Sequence, residues 1–313
     1  MSDQEQNSDK EPTPDKEVGN NIPRDLQQSF SKAEWDITNP SLTKVISGGP
    51  GKDGIPSIDK PQFVPIDTFQ YSDTVQSIVL QDKDITKVYP YNILNWHEIV
   101  NDTIDRIPVA VTFCPLCGSA IVFDRRVNDT VLTFGVSGFL LESNMIMFDR
   151  ENEYLWQQST GKILAGDTLD TILELIPFQL MTIAEIKEKY PKALILSDNT
   201  GYNREYGRNP YSGYEDSEQF LFPPTQEDLR YPAKNIFVAF RLDNNIIGIP
   251  YSNLENEQTY TTTIQNTPIT ITRNSGEISI SNPQNNEIPF YFEMWFSLAT
   301  QHGANIIVFD PKK

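Results

Sequence analysis

Short runs of apolar and β-branched residues recur along the chain with a period near two, which is the period of a β-strand. The clearest runs are residues 108–113, 120–123 and 145–148. Two longer amphipathic stretches, residues 180–190 and 291–301, each lead into a further apolar run and are predicted to be helices. We therefore expect an α+β fold in which sheets dominate.

The chain also carries an internal repeat. A shift of 160 residues places the Pro-Tyr pair at residues 90–91 on the Pro-Tyr pair at residues 250–251 without a gap. Further matched pairs are Leu94 with Leu254, Pro108 with Pro268 and Thr112 with Thr272. Self-similarity at a fixed spacing is typical of two copies of one supersecondary unit. We expect a first half over residues 61–230 and a shorter, degenerate second half over residues 231–313, packed together.

The N-terminal segment differs in composition from the rest of the chain. Residues 1–24 consist mainly of Asp, Glu, Lys, Asn, Gln and Pro and contain almost nothing apolar. Such a segment buries too little apolar surface to offset the entropy lost on ordering, so we predict a disordered acidic tail. Residues 25–60 follow as an extended lead-in that contains a Gly/Pro-rich loop at residues 47–56.

Charge and hydropathy narrow the range of partners. The net charge of −18 and the pI near 4.5 argue against nucleic acid and against an anionic membrane surface, because both require a cationic face. The sequence contains no apolar signal core and no apolar run long enough to span a bilayer. These features predict a soluble cytoplasmic protein whose partner is a small molecule or a metal ion.

The two cysteines of the chain, Cys114 and Cys117, stand together in the segment Cys-Pro-Leu-Cys-Gly. This segment is typical of the metal-binding turns of rubredoxins and zinc ribbons, where a glycine with positive φ lets both sulfurs face one ion. Those folds use two such turns, whereas this chain has one. We therefore predict an open metal site, in which His97 adds a third ligand and a fourth position is free for substrate.

The repeat supports a functional role for these three residues. The second half has different residues at the positions equivalent to His97, Cys114 and Cys117, namely Glu257, Asn274 and Glu277. A scaffold role would be required in both halves, whereas a site is required once. The comparison within one chain thus favours a functional set in the first half.

Two thiolates and one imidazole suit one transition metal ion, either zinc or copper. Met145 and Met147 offer thioether ligands for copper, although a buried strand face explains them equally well. Glu98, next to His97, is a candidate general base. Two alternatives to a metalloenzyme remain open: a copper-binding or copper-transfer protein without turnover, and a metal-free dithiol oxidoreductase based on the Cys-x-x-Cys motif.

Several segments resemble a known protein family. The most distinctive are YPYNILNWHEIVND (89–102), PVAVTFCPLCGS (108–119) and LWQQ (155–158). Others are FGVSG (134–138), SN (143–144), FDR (148–150), TGY (200–202) and YGRNPY (206–211). Together they are similar to the bacterial and archaeal family called domain of unknown function 3179, over most of the chain after the tail. The family has no established activity to carry over, and many of its members look exported.

On this resemblance, Asn144, Trp156 and Gln157 are predicted to line a pocket for a small polar ligand. The segment over residues 202–214 is dense in aromatic residues and arginine and is long for a simple connector. It is interpreted either as a lid or as a packed loop that bridges the two halves.

Together these observations predict a metal-dependent enzyme with redox or Lewis-acid chemistry. Its metal ligands would be His97, Cys114 and Cys117, and its small substrate would lie against Glu98, Asn144 and Trp156.

Overall fold

The computed structural model describes residues 21–35, 39–284 and 286–313. The disordered tail predicted for residues 1–24 falls mainly on residues 1–20, which lie outside the described residues. Of the remainder, Ile22 is 3% exposed, and helix α1 (Arg24–Ser29) begins within this stretch. Leu26 and Phe30 are fully buried, so the predicted extended lead-in starts with a short packed helix.

Strands account for most of the regular structure. The further helices are α2 (Tyr91–His97), α3 (Ile183–Lys189) and α4 (Trp295–His302). The strands in chain order are β1 (Ile46–Ser47), β2 (Phe63–Pro65), β3 (Gln76–Asp82), β4 (Ile85–Pro90), β5 (Ile99–Ile104), β6 (Ile107–Cys114), β7 (Ser119–Asp124), β8 (Arg126–Val127), β9 (Thr130–Val131), β10 (Phe134–Leu141), β11 (Asn144–Asp149), β12 (Leu155–Gln157), β13 (Ile163–Ala165), β14 (Gln179–Thr182), β15 (Leu194–Leu196), β16 (Ile236–Leu242), β17 (Asn245–Pro250), β18 (Gln258–Ile264), β19 (Thr267–Asn274), β20 (Glu277–Ser281), β21 (Phe290–Met294) and β22 (Ile306–Val308).

A seven-stranded sheet lies at the centre, in the order β22-β17-β16-β21-β7-β6-β5. It joins distant parts of the chain, because β7 pairs with β21 through Ala120 and Phe292. Two five-stranded sheets, β14-β3-β4-β15-β2 and β1-β10-β11-β12-β13, and the smaller sheets β18-β19-β20 and β8-β9 complete the fold. The predicted sheet-dominated α+β class is therefore confirmed.

Two segments of the chain share one connectivity. The hairpin β3-β4 has antiparallel β14 on one side and parallel β15 on the other. The hairpin β16-β17 has antiparallel β21 and parallel β22 in the same places. A three-strand meander follows each hairpin, β5-β6-β7 in the first segment and β18-β19-β20 in the second.

The two predicted helices, residues 180–190 and 291–301, each begin as a strand. All five residues of β21 are buried, and they pair with β16. Four of the five are apolar or aromatic, and the local period of such a run fits a helix or a strand equally well. Helix α3 starts only after Thr182, whose hydroxyl accepts the Glu185 N–H while the Glu185 carboxylate accepts the Thr182 N–H. This capping box fixes the boundary between β14 and α3.

The main hydrophobic core surrounds the central sheet and includes both cysteines, Met145, Met147 and Trp156. A second core contains Ile146 and Phe148, the alternate residues of β11, so the two faces of that strand serve different cores. Among the described residues, no helix is long and apolar enough to cross a membrane.

Candidate functional site

The Cys-Pro-Leu-Cys-Gly turn connects β6 to β7. Cys114 is the last residue of β6 and pairs with Ser119, and the Cys117 N–H donates to the Cys114 carbonyl at 3.2 Å. Gly118 has φ of +53°, and a Cβ there would lie 3.0 Å from Cγ of Met294. The turn therefore requires glycine both for its backbone conformation and for space, and it holds the two sulfurs on one side.

Both cysteines are reduced and buried, with exposed fractions of 1% for Cys114 and 0% for Cys117. The two sulfurs face the same carbonyl oxygen, that of Ser143, at 4.0 Å from Cys114 and 3.3 Å from Cys117. Ser143 lies in the turn between β10 and β11. We call this pair of cysteines the dithiol.

The surroundings distinguish the two thiols. Burial raises the pKa of Cys114, but hydrogen bonds from the Cys117 thiol and from the backbone N–H groups of Met145, Cys117 and Leu116 outweigh burial and lower the pKa overall. Burial, the neighbouring Cys114 and the Glu293 carboxylate raise the pKa of Cys117 well above its ordinary value. Cys114 is therefore the member of the dithiol that ionises first.

A buried polar network adjoins Cys117. The Ser297 side chain hydrogen-bonds with Cys117, and its hydroxyl donates to Oε1 of Glu293 at 2.6 Å. The Ser159 hydroxyl donates to Oε2 of the same carboxyl group at 2.9 Å. Burial raises the pKa of Glu293 from 4.5 to about 7, although both hydroxyl groups favour the ionised form. A carboxyl group that titrates near neutrality thus lies one side chain from the dithiol.

Glu98, the predicted general base, lies near Cys114. It follows α2 with φ of +58°, and its carbonyl accepts the Phe113 N–H at 2.8 Å. Burial, and to a lesser extent Cys114, raise the pKa of the Glu98 carboxyl well above its ordinary value. This rise in pKa favours the protonated carboxyl, which is a hydrogen-bond donor, over the carboxylate that a general base requires.

His97, the predicted third metal ligand, points away from its neighbour Glu98. Its Nδ1 lies 2.7 Å from the Pro56 carbonyl and its Nε2 lies 2.6 Å from the Tyr206 hydroxyl. Because a carbonyl oxygen only accepts, Nδ1 carries the hydrogen of the neutral ring and Nε2 accepts from Tyr206. Burial lowers the pKa of His97, which favours this neutral form.

Both ring nitrogens of His97 are thus engaged with groups other than the dithiol. Across residues 21–35, 39–284 and 286–313, no group of three or more His, Cys, Asp and Glu side chains is arranged to hold a metal ion. A metal ion at the dithiol would need a different third ligand or a movement of His97. Its binding there stays a prediction.

The predicted pocket residues are all buried among protein groups. The Asn144 amide donates to Oε1 of Gln158 at 2.8 Å and accepts the Ser159 N–H at 2.9 Å. The Trp156 indole donates to Oδ2 of Asp149 at 2.8 Å. Gln157 donates to Gln301 and accepts from Thr160. Asn144 therefore connects to the network of Glu293, while the binding of a ligand by these three residues stays a prediction.

Residues 202–222, which we call the cover loop, pack over the turn and over α2. The Tyr214 hydroxyl donates to the Leu116 carbonyl, between the two cysteines, at 3.0 Å. The Trp96 indole donates to the Arg208 carbonyl at 3.2 Å, and Lys234 donates to the Tyr214 carbonyl at 2.5 Å. The predicted lid, residues 202–214, thus covers the dithiol in this conformation.

A cavity of about 160 Å³, which we call the inner cavity, lies beside the dithiol. Glu98, Leu116 and Met145 line its inner wall. The charge of Cys114 acts on the Glu98 carboxyl, and the backbone N–H groups of Leu116 and Met145 act on the Cys114 sulfur. The lead-in closes one side at Gly138, where φ is +82° and a Cβ would lie 2.0 Å from the Pro50 carbonyl oxygen. The lead-in is therefore part of the site, not a spacer.

Comparison with known families gives one match. The model of the family described as Protein of unknown function (DUF3179) matches residues 52–303 of the 313-residue chain. The chain belongs to this family. The resemblance noted in the sequence is thereby confirmed, and the matched region contains both cysteines, Glu98, Glu293 and the cover loop. No match was found among curated proteins or among solved structures.

In this DUF3179 protein, sequence reasoning missed the network of Glu293, Ser297 and Ser159. One signal was available, since Glu293 is the sole charged residue in the apolar run of residues 288–296. A carboxyl group within such a run is buried only at a cost and so commonly marks a specific role. Its proximity to Cys117 depends on the pairing of β7 with β21, which no local pattern predicts.

Proposed function

We propose that this protein is a dithiol oxidoreductase in which Cys114 is the nucleophile and Cys117 the resolving thiol. The observation that carries the proposal is the turn that holds two reduced sulfurs against one carbonyl oxygen, with the backbone N–H groups of Met145, Cys117 and Leu116 close enough to lower the pKa of Cys114. These donors stabilise a thiolate, which is the reactive form in thiol–disulfide exchange. The high pKa of Cys117 suits the second step, because it keeps that thiol protonated until it is needed.

The proposed reaction balances as follows. The Cys114 thiolate attacks one sulfur of a substrate disulfide, the substrate S–S bond breaks, and a thiolate leaves. Cys117 then attacks Cys114 of the mixed disulfide, releases the second substrate thiol and passes its own proton to solvent or to Glu293 through Ser297. The substrate disulfide gains two electrons and the dithiol loses them.

The turn geometry supports closure of the disulfide. Cys114 and Cys117 occupy the first and fourth positions of a turn closed by a backbone hydrogen bond of 3.2 Å. The Cα atoms of such positions lie within about 7 Å of each other, close to the range that a disulfide spans. A bond between them needs little movement of β6 or β7.

Oxidation by diamide tests this proposal. We expect the wild type to form an intramolecular disulfide, seen in the mass spectrum as the loss of two hydrogen atoms and reversed by dithiothreitol. Cys117→Ser should stop at a mixed adduct on Cys114, while Cys114→Ser should react slowly because its remaining thiol has a high pKa. Equal reactivity of the two single variants, or no intramolecular disulfide in the wild type, would refute the assignment.

A second candidate is a soft-metal site, for zinc or copper, on the same two sulfurs. Two features favour it: backbone N–H groups that stabilise a thiolate, and Met145, whose side chain lines the inner cavity beside the dithiol. In this version the ligands would be Cys114, Cys117 and either Met145 or a released His97. A copper-transfer role or a metal-dependent reaction would follow from the ion that binds.

Elemental analysis of gel-filtered protein separates the two candidates. If a metal binds, we expect about one equivalent of zinc or copper per chain, lost in Cys114→Ser. His97→Ala and Met145→Leu then identify the third ligand by which of them releases the metal. Wild-type protein that carries no metal but titrates two thiols would exclude the soft-metal site and leave the dithiol reaction.

We also propose that the two segments with one connectivity arose by duplication, as the repeat in the sequence predicts. The matching order of β14-β3-β4-β15 and β21-β16-β17-β22 supports this. In the second copy, β19 ends with Asn274 and β20 starts with Glu277. The shift of 160 residues aligns these two residues with Cys114 and Cys117 of the first copy. Glu277 there accepts a hydrogen bond from Tyr190 and pairs with Lys189. Only the first copy would then carry chemistry.

A further inference from the structure

The packing around the dithiol restricts which molecules reach it. The sulfurs carry almost no exposed surface, and the cover loop closes the turn from outside through the Tyr214 hydrogen bond to Leu116. The inner cavity ends at Leu116, which is 7% exposed and stands between the two cysteines in sequence. Leu116 is therefore the residue of the cavity wall that lies nearest to both cysteines in sequence.

The wall of the inner cavity is apolar. Polar side chains on it belong to Glu98 and Tyr211 alone among its described lining residues. The rest of the wall is formed by Gly48, Pro50, Ile55, Leu116, Val136, Gly138, Phe139, Leu140, Met145, Leu221 and Phe222. A charged group in this space would lose its hydration and find no cationic partner. The net charge of −18 further opposes the approach of anions.

We propose that the inner cavity selects small, uncharged dialkyl disulfides as the oxidants of the dithiol and excludes glutathione disulfide and protein disulfides. The inference rests on the proposed dithiol function and adds its substrate class. A dialkyl disulfide enters between Glu98 and Met145, and Leu116 moves aside. The Cys114 thiolate then attacks one alkyl sulfur, the alkyl S–S bond breaks, and closure of the Cys114–Cys117 disulfide releases two alkanethiols.

Rates of disulfide formation with diethyl disulfide and with glutathione disulfide test the selection. The same two rates measured on the urea-unfolded chain give the intrinsic preference of the thiols, and the folded protein is compared with that ratio. We expect folding to shift the preference toward diethyl disulfide by at least about 100-fold, because burial of unpaired charge is disfavoured by several kcal/mol. An unchanged ratio would overturn the proposal.

Variants of Leu116 test the route. Leu116→Ala should accelerate oxidation by the bulkier di-n-butyl disulfide about 10-fold, and Leu116→Val is the milder substitute if the alanine variant folds poorly. A second cavity of about 200 Å³ reaches Phe113 and Gly118 of the turn region, shares no lining residue with the inner cavity, and is lined by Ile236. Ile236→Ala is the matched control and should leave the rate unchanged. Acceleration by Ile236→Ala instead of Leu116→Ala would overturn this route.

Oxidation by diamide keeps the two proposals distinguishable. A protein that closes its disulfide with diamide but shows no preference for diethyl disulfide retains the dithiol function and loses the selection argued here. A protein that closes no disulfide with diamide, diethyl disulfide or glutathione disulfide lacks the dithiol function itself, and the selection fails with it.

Discussion

Replacement of Glu293 by glutamine is expected to stabilise the protein by about 3 kcal/mol at pH 9 and by much less at pH 5. The magnitude follows from the rise in the pKa of this carboxyl from 4.5 to about 7, at about 1.4 kcal/mol per pKa unit. Glutamine keeps the size of the side chain and removes the buried charge. Like the protonated carboxyl, it has one acceptor oxygen and one donor group, so one of the Ser297 and Ser159 hydroxyls donates to it and the other accepts from it.

The sign follows from proton linkage. The folded protein binds the Glu293 proton more tightly than the unfolded chain does, so this group does not oppose folding below about pH 4.5. As the pH rises toward about 7, the unfolded chain ionises freely while the folded protein must ionise a buried carboxyl, and stability is lost. Above about pH 7 the loss is complete and constant, which is where the glutamine variant gains most.

Urea unfolding at a series of pH values measures this gain as the difference between variant and wild type. Glu174→Gln is the matched control, because Glu174 is exposed and its replacement should give no gain that grows with pH. A Glu293→Gln gain of equal size at pH 5 and pH 9 would show that the substitution acts through packing and that the carboxyl does not titrate near neutrality.

Local patterns predicted β6, β7 and β11, because each contains one of the short apolar and β-branched runs at residues 108–113, 120–123 and 145–148. The same patterns placed both long helices too early. Residues 290–294 are apolar except for Glu293, and their pairing with β16 and β7 makes them a strand. The boundary between strand and helix here is set by pairing with distant strands, so the local periodicity of the sequence could not predict it.

The Cys-x-x-Cys turn was predictable because four adjacent residues and a glycine define it. The partners of the turn were harder to predict. His97 and Glu98 are neighbours in sequence, yet the end of α2 turns the histidine toward Pro56 and Tyr206 and the glutamate toward Cys114. The order of residues contains no information on side-chain direction, so it could not show which of these two neighbours faces the dithiol.

Replacement of Tyr206 by alanine is expected to accelerate the reaction of the dithiol with DTNB, a bulky and charged aromatic disulfide, by about 100-fold. Tyr206 is 5% exposed, and its hydroxyl bonds to Nε2 of His97 and lies 2.5 Å from the hydroxyl of Thr200. Truncation of a buried aromatic residue costs about 3 kcal/mol or more, and each 1.4 kcal/mol is tenfold in an equilibrium constant. Loss of this anchor therefore shifts the cover loop toward an open state that exposes the sulfurs.

Tyr202→Ala is the matched control in the same loop. The Tyr202 ring lies 5.4 Å from that of His97, but 46% of the residue is exposed, so its truncation should change the DTNB rate by less than about threefold. Urea unfolding of the same variants separates local from global opening. If the DTNB rate of Tyr206→Ala follows the population of the fully unfolded chain, the cover loop is not a gate. If the DTNB rate is higher than the population of the fully unfolded chain can account for, the cover loop opens alone. The hydrogen bonds from Tyr206 to His97 and from Tyr214 to Leu116 then hold the loop closed.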